Sequence, residues 1–220
     1  MTRYGKDVVI RILSLSLMID GVAYFINSPF IKITLLCFSV ILFSITLYFF
    51  RDPKRTIPDN LEENTILSPA DGKIVAITDT ISKDDKFFNL NEKLKQVSIF
   101  LSPLNVHVNR IPLTGIIKYL NYIKGDYIVA FDNKSSERNE RTEIGIINRN
   151  GYKILFKQIA GYVARRIVYE LKESQEVAAG EKFGMIKFGS RVDILLNSDF
   201  KLKVNKGQKV KGGITVIATL

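Results

Sequence analysis

Residues 31–50, IKITLLCFSVILFSITLYFF, are twenty consecutive positions with a single charge, Lys32, near the edge. At 1.5 Å rise per residue such a run makes a helix about 30 Å long, the thickness of a bilayer's hydrocarbon core. A helix apolar on every side has no polar face to offer water, so protein or lipid must surround it. In a chain of 220 residues a wholly buried helix of this length would be unusual, and the run reads as a membrane helix.

Residues 8–26 form a second apolar segment, interrupted by Arg11 and Asp20. Either charge costs about 3 kcal/mol at a bilayer centre. The turn NSPF at 27–30 separates the two segments, which together read as a helical hairpin. Arg3 and Lys6 precede it, Arg51, Lys54 and Arg55 follow it, and its turn holds no basic residue. The positive-inside rule then puts both ends in the cytoplasm and predicts an inner-membrane protein with a cytoplasmic domain. Two apolar segments, with no small-residue cleavage site after the second, argue against a removed leader.

Beyond the Pro-containing linker RDPKRTIPDN the texture changes. Short β-branched and aromatic runs follow, among them GKIVAIT, KQVSIFL, VHVNRI, TGIIKYL, DYIVAF, EIGIINR, FGMIKFGSRVDILL, FKLKV and GITVIATL, with turn residues between them. They predict a mainly β (α+β) domain over residues 56–220 behind an anchor of residues 1–55. Residues 164–171 read as a helical stretch and AAGEKF as a loop. SPADGKIVAI at 68–77 and VNKGQKVKGGITVIATL at 204–220 echo one another: a polar turn, a Gly-Lys or Lys-Gly, then an alternating apolar strand. The pattern resembles the hairpins of lipoyl and biotinyl domains, a barrel-sandwich arrangement that pairs strands from the two ends of a domain.

Charge and composition then exclude several chemistries. Lys and Arg total 32 against 22 Asp and Glu, a net charge of +10, which suits nucleic acid or an anionic membrane surface. Lys201, Lys203, Lys206, Lys209 and Lys211 follow one another with no acid between them. Behind a membrane hairpin they suit anionic headgroups, and without the stacking aromatics of an RNA-recognition module no nucleic-acid partner is expected. One cysteine, Cys37 in the apolar run, and one histidine, His107, leave a zinc centre without ligands, so no metal is expected. The chain contains no G-x-S-x-G elbow, and neither a P-loop nor a G-x-G-x-x-G fingerprint follows a strand.

Four places remain where residues could carry chemistry, each with an ordinary structural explanation. Asp71 in SPADGK fits an Asp-Gly turn. His107 in LSPLNVHVNRIP fits a hydrogen-bonded structural histidine, and Arg165 and Arg166 fit a solvated face or an anion clamp. Gly189 and Ser190, in the middle of the strand-like GMIKFGSRVDILL, fit a bulge or a close backbone approach.

Taken in order, FFRDPKR, SPADGKI, IFLSPLNVHVNRIP, NER at 139–141, QIAGYVARRI and GMIKFGSRVD resemble the short form of the phosphatidylserine decarboxylase proenzymes, from Phe49 to the end of the chain. The resemblance implies that Gly189–Ser190 is a self-cleavage site. Ser190 Oγ would attack the Gly189 carbonyl in an N→O acyl shift, for which glycine leaves the approach unobstructed. β-Elimination of the ester would leave a dehydroalanine, which tautomerises and is hydrolysed with release of ammonia to a pyruvoyl group at position 190. The products would be a β chain, 1–189, and an α chain, 190–220, held together as a heterodimer or a higher oligomer. The ketone would form a Schiff base with the serine headgroup of phosphatidylserine and take up the electrons released with CO₂, giving phosphatidylethanolamine at the membrane surface.

The same resemblance implies catalytic roles for Asp71 and His107. The longer bacterial members carry an H-x-x-H pair; His107 matches its first member, and Arg110 stands at the second. Arg110, Arg165 and Arg166 are the candidates for binding the substrate's phosphate or carboxylate. The rival reading is a membrane-anchored barrel-sandwich adaptor or carrier domain without catalysis, although no E-x-M-K or M-K-M presents a lysine for modification. On the hairpin reading, the full chain is expected to stay with membranes through an alkaline carbonate wash. Its release into the supernatant would exclude an integral anchor.

Overall fold

The computed structural model describes residues 1–59, 61–128, 135–161, 166–187 and 190–220. The chain divides into two compact units, Met1–Lys54 and Arg55–Leu220. In the first, a 3-10 turn at Arg3–Gly5 leads into helix α1 (Lys6–Tyr24), and helix α2 runs over Pro29–Phe49. Pro29 occupies the first turn of α2, where a missing N–H costs nothing. Small residues line the contact between the helices: Ala23 is fully buried and Ser39 Oγ donates to the Ser16 carbonyl at 3.3 Å. Large apolar side chains, including Leu17, Met18, Phe38, Val40 and Ile45, point outward. That inversion of a soluble helix pair suits lipid surroundings. Among the described residues α2 alone is long and apolar enough to cross a membrane, with a hydropathy of 2.3 over its best window.

The second unit is built from short strands: β1 (Ile66–Leu67), β2 (Gly72–Ile81), β3 (Lys93–Leu101), β4 (Val108–Arg110), β5 (Gly115–Ile123), β6 (Arg141–Ile147) and β7 (Lys153–Ile159). These are followed by β8 (Arg166–Tyr169), β9 (Glu176–Val177), β10 (Lys182–Lys187), β11 (Ser190–Asn197), β12 (Lys201–Leu202), β13 (Lys209–Val210) and β14 (Val216–Thr219). One helical turn, α3 (Ser135–Arg138), precedes β6. An eight-stranded antiparallel sheet has the order β13-β2-β3-β11-β7-β6-β5-β9, and two three-stranded sheets have the orders β4-β10-β8 and β1-β14-β12. Strands from the two ends of the unit pair, Ile66 with Ala218 and Lys73 with Lys209, which accounts for the echo between the two segments.

Alternation along β11 shows how one core serves all three sheets. Val192, Ile194 and Leu196 face a cluster that also takes Ile99 from β3, Phe156 from β7, Phe183 and Ile186 from β10 and Ile217 from β14. The rings of Phe156 and Phe183 meet edge to face with centroids 5.4 Å apart, tying the large sheet to the β4-β10-β8 sheet. The alternate residues of β11 face the other way. There Arg191 Nε bonds Asp193 Oδ1 at 2.6 Å, and Lys157 and Arg141 both reach Glu143 Oε1 at 2.9 Å. These charges border a groove of about 790 Å³ with Phe87 and Phe88 on its rim.

Three expectations need correcting. The stretch read as helical holds strand β8, paired residue by residue with β10; β-branched and aromatic Ile167, Val168 and Tyr169 suit that ladder better than a helix. Ala164 and Arg165 lie outside the described residues. In DYIVAF, Asp126 forms one isolated bridge with Asn139, and the backbone of Ile128 is bonded on both its N–H and C=O by the Asn139 amide. A side chain there supplies the partners a neighbouring strand would have offered; residues 129–131 lie outside the described residues. AAGEKF is a turn only to Glu181, since Lys182 and Phe183 already belong to β10.

Burial alone would raise the Glu143 pKa, but the Lys157 ammonium and the Arg141 guanidinium outweigh it and hold the carboxyl below its ordinary 4.5. A depressed carboxyl stabilises the fold at pH values above its unfolded pKa, and that contribution disappears as pH falls through the folded value. Glu143→Gln is therefore expected to melt below wild type at neutral pH and to lose less Tm on acidification toward about pH 3. Parallel Tm-against-pH curves for the two proteins would contradict this.

Candidate active site

GMIKFGSRVDILL is two strands in different sheets. β10 ends at Lys187 in the β4-β10-β8 sheet, and β11 begins at Ser190 in the eight-stranded sheet. Phe188 and Gly189, between the two strands in sequence, lie outside the described residues. Ser190 is paired with Leu101, is fully buried, and its Oγ has no hydrogen-bond partner. Buried hydroxyls are nearly always bonded, so an exception asks for an explanation.

A second crossing runs between the same two sheets. β3 ends at Leu101, opposite Ser190, and β4 begins at Val108, opposite Met185 of β10. The connecting residues 102–107 are held by Ser102 N–H donating to Asn105 Oδ1 at 2.9 Å and Asn105 N–H to the Ser102 carbonyl at 2.9 Å. His107, fully buried, closes this loop with Nδ1 at 2.9 Å from the Asn105 carbonyl. A carbonyl only accepts, so Nδ1 carries the hydrogen and the lone pair of the neutral ring is on Nε2, the nitrogen a base would use.

Register brings the third residue to the same end of the sheet. Lys73, Phe100 and Arg191 form one row across β2, β3 and β11. One step further come Gly72, Leu101 and Ser190, with Asp71 just beyond Gly72. At about 4.8 Å per strand, Asp71 is two strands, about 10 Å, from Ser190. Both oxygens of its carboxylate are bonded: Arg55 Nη1 and Nη2 grip them at 2.5 and 2.7 Å, and the Gly212 N–H donates to Oδ1 at 2.8 Å. The same Arg55 Nη1 also donates to the Gly212 carbonyl at 2.6 Å.

The arginines separate. Arg166 stands opposite Lys187, at the crossing end of β10, and is exposed. Arg110 stands opposite Lys182 at the other end, buried, with Nη1 donating to the Gly180 carbonyl at 2.7 Å. Arg165 lies outside the described residues.

Two features escaped the sequence reading. In the sequence Arg55 reads as a flanking charge of the hairpin; its pairing with Asp71 depends on a fold that joins residues 16 positions apart. The other is a buried polar chain in which Thr142 Oγ1 donates to Gln158 Oε1 at 2.8 Å and Gln158 Nε2 donates to Asn109 Oδ1 at 2.9 Å. Its signal was present in KILFKQI, where Gln158 takes the core-facing position after Ile154 and Phe156.

The model of the family described as phosphatidylserine decarboxylase matches residues 42–218. Proteins named phosphatidylserine decarboxylase proenzyme include one from Chlorobium limicola, 42% identical over 218 residues and 99% of each chain. One from Cytophaga hutchinsonii is 46% identical over 195 residues, 89% of this chain and 86% of that one. Another, from Chlorobium phaeobacteroides, is 51% identical over 179 residues, 81% of this chain and 80% of that one.

The side chains of Arg55 and Asp71 are only 7% and 12% exposed, so removing one leaves a buried charge unpaired. Arg55→Ala is expected to cost about 3–5 kcal/mol of stability. Arg55→Lys should recover only part of it, because an ammonium cannot grip both oxygens in a fork. Thermal melts of the three proteins test this, and an unchanged Tm in Arg55→Ala would contradict it.

Proposed function

The chain belongs to the phosphatidylserine decarboxylase family and is a decarboxylase; from that premise we propose that it cuts itself between Gly189 and Ser190 and acts on phosphatidylserine at a membrane surface. The observation that carries the reading is the buried, unpartnered Ser190 Oγ at the point where the chain changes sheets. A hydroxyl without a competing hydrogen bond is ready to add to the carbonyl carbon bonded to its own backbone nitrogen.

His107 is the base of this account. With Nδ1–H held by the Asn105 carbonyl, its Nε2 takes the Oγ proton as the hydroxyl attacks, or delivers a proton to carbon during turnover. Asp71 holds the end of the sheet through Arg55 and Gly212 and sets a fixed negative charge beside the reacting row. Arg166, exposed at the crossing end of β10, meets the anionic headgroup, as does Arg165 beside it in sequence. Arg110 reaches the Gly180 carbonyl and serves substrate binding through the shape of that turn.

A ketone fits at position 190, since the Ser190 Oγ makes no hydrogen bond that its conversion would break. When formed, a pyruvoyl group supplies an electrophilic carbonyl that captures the headgroup amine and accepts the electron pair released with CO₂. The apolar hairpin of α1 and α2 holds the enzyme to the bilayer, with both ends cytoplasmic and the basic C-terminal strands toward anionic lipid. The two chains stay together because β11 is hydrogen-bonded along both sides by β3 and β7.

Ser190→Ala lacks the nucleophile and is expected to stay folded, inactive and intact at 25.0 kDa on a denaturing gel. Cleavage of that variant would remove Ser190 from the mechanism. His107→Ala is expected to remain intact if His107 starts the acyl shift, or to split without turning lipid over if it acts only in decarboxylation. Splitting with undiminished activity would exclude it from both steps.

A further inference from the structure

In the unit Arg55–Leu220, two buried side-chain polar atoms among the described residues have no hydrogen-bond partner: Ser190 Oγ and Asn109 Nδ2. The second is as unusual as the first, because a buried amide N–H left unpaired weakens a fold. Its direction is set by its neighbours. Thr142 donates to Gln158 Oε1, and Gln158 Nε2 donates to Asn109 Oδ1, so the Asn109 amide presents its oxygen to Gln158 and its NH₂ elsewhere. Thr142, Gln158 and Asn109 are each 0% exposed. The chain of bonds therefore ends in a buried donor with nothing to donate to.

The register of β11 brings that donor toward Ser190. Gln158 on β7 stands directly opposite Val192, on the core-facing side. Ser190 lies two residues before Val192 and so on the same face, which makes it a diagonal neighbour of Gln158 at about 7 Å. Asn109 reaches this patch from β4, in the sheet that β10 leaves to enter β11. The two unpartnered groups, a nucleophile and an amide donor, are thus linked through one side chain, that of Gln158.

We propose that Asn109 Nδ2 donates to the oxyanion formed when Ser190 Oγ adds to the Gly189 carbonyl. This rests on the self-cleavage reading above. In the step, a C–O bond forms between Oγ and the Gly189 carbon, the carbonyl π pair moves onto oxygen, and the Oγ proton passes to the base. When the oxygen pair returns, the Gly189–Ser190 C–N bond breaks and the nitrogen takes up a proton, leaving an ester and a free amine. A preorganised donor acts most strongly on that transient charge, and a weakly bonded resting carbonyl gains little from it.

The test follows cleavage of newly made full-length chains on denaturing gels for wild type, Asn109→Asp and Asn109→Leu, with and without hydroxylamine, alongside thermal melts. Asp keeps the acceptor for Gln158 and removes the donor; Leu removes both and buries no charge. Both are expected to cleave about 10²–10³-fold more slowly than wild type at a Tm close to that of Ser190→Ala. Hydroxylamine, which splits the ester, should not restore the rate, because the ester is what fails to form. Cleavage at the wild-type rate in either folded variant overturns the proposal. So does slow cleavage that hydroxylamine restores, which would put Asn109 after the acyl shift. If neither variant folds, the amide is a structural part of the core and the proposal fails. A wild-type chain that itself stays intact would instead sink the self-cleavage reading.

Discussion

A serine hydroxyl sealed in a β core with nothing to bond to costs about 1–3 kcal/mol, and the rest of the second unit is arranged around that cost at Ser190. The strand that begins there is held along both edges, with β3 on one side and β7 on the other for nearly its whole length. Its core face carries Val192, Ile194 and Leu196, and its opposite face the Arg191–Asp193 pair. Such anchoring allows the first residue of the strand to sit unsatisfied, since any slip in register would move every one of those side chains to the wrong face. Unrelieved polar groups of this kind persist where chemistry uses them.

The groups around Ser190 divide the work by their bonding. Asp71 is bonded at both oxygens, by Arg55 and the Gly212 N–H, which pins the incoming linker and the C-terminal turn to the end of β2. His107 Nδ1 is held by the Asn105 carbonyl, which in the proposed reaction orients the ring for proton transfer at Nε2. Membership of a decarboxylase family identifies the chain as an enzyme. It also removes the rival reading of a non-catalytic carrier, although the end-to-end strand pairing that suggested it is present.

Much of this was legible in the residues. The apolar run at 31–50 became α2 almost to the residue, because length and hydropathy alone determine such a helix. The echo of SPADGKIVAI in the C-terminal segment marked strands that do pair. What stayed hidden was whatever depends on partners distant in sequence. ARRIVYEL looks helical until β10 supplies a ladder for Ile167 and Val168. FGMIKFGSRVDILL reads as one strand with a Gly-Ser interruption, and only the pairing partners of its halves show that they belong to different sheets. Arg55 and Asn109 gained their significance from Asp71 and Gln158, which the fold alone brings to them.

The central claim is that Ser190 is both the cleavage nucleophile and the source of the electron sink, and the mass of the small chain from active wild-type protein tests it most directly. The account predicts a chain of residues 190–220, lighter by one ammonia than the same peptide beginning with serine, and blocked to stepwise degradation from its N-terminus. Fully active protein that yields only the uncut 25.0 kDa chain, or a small chain beginning with an ordinary serine, would contradict it.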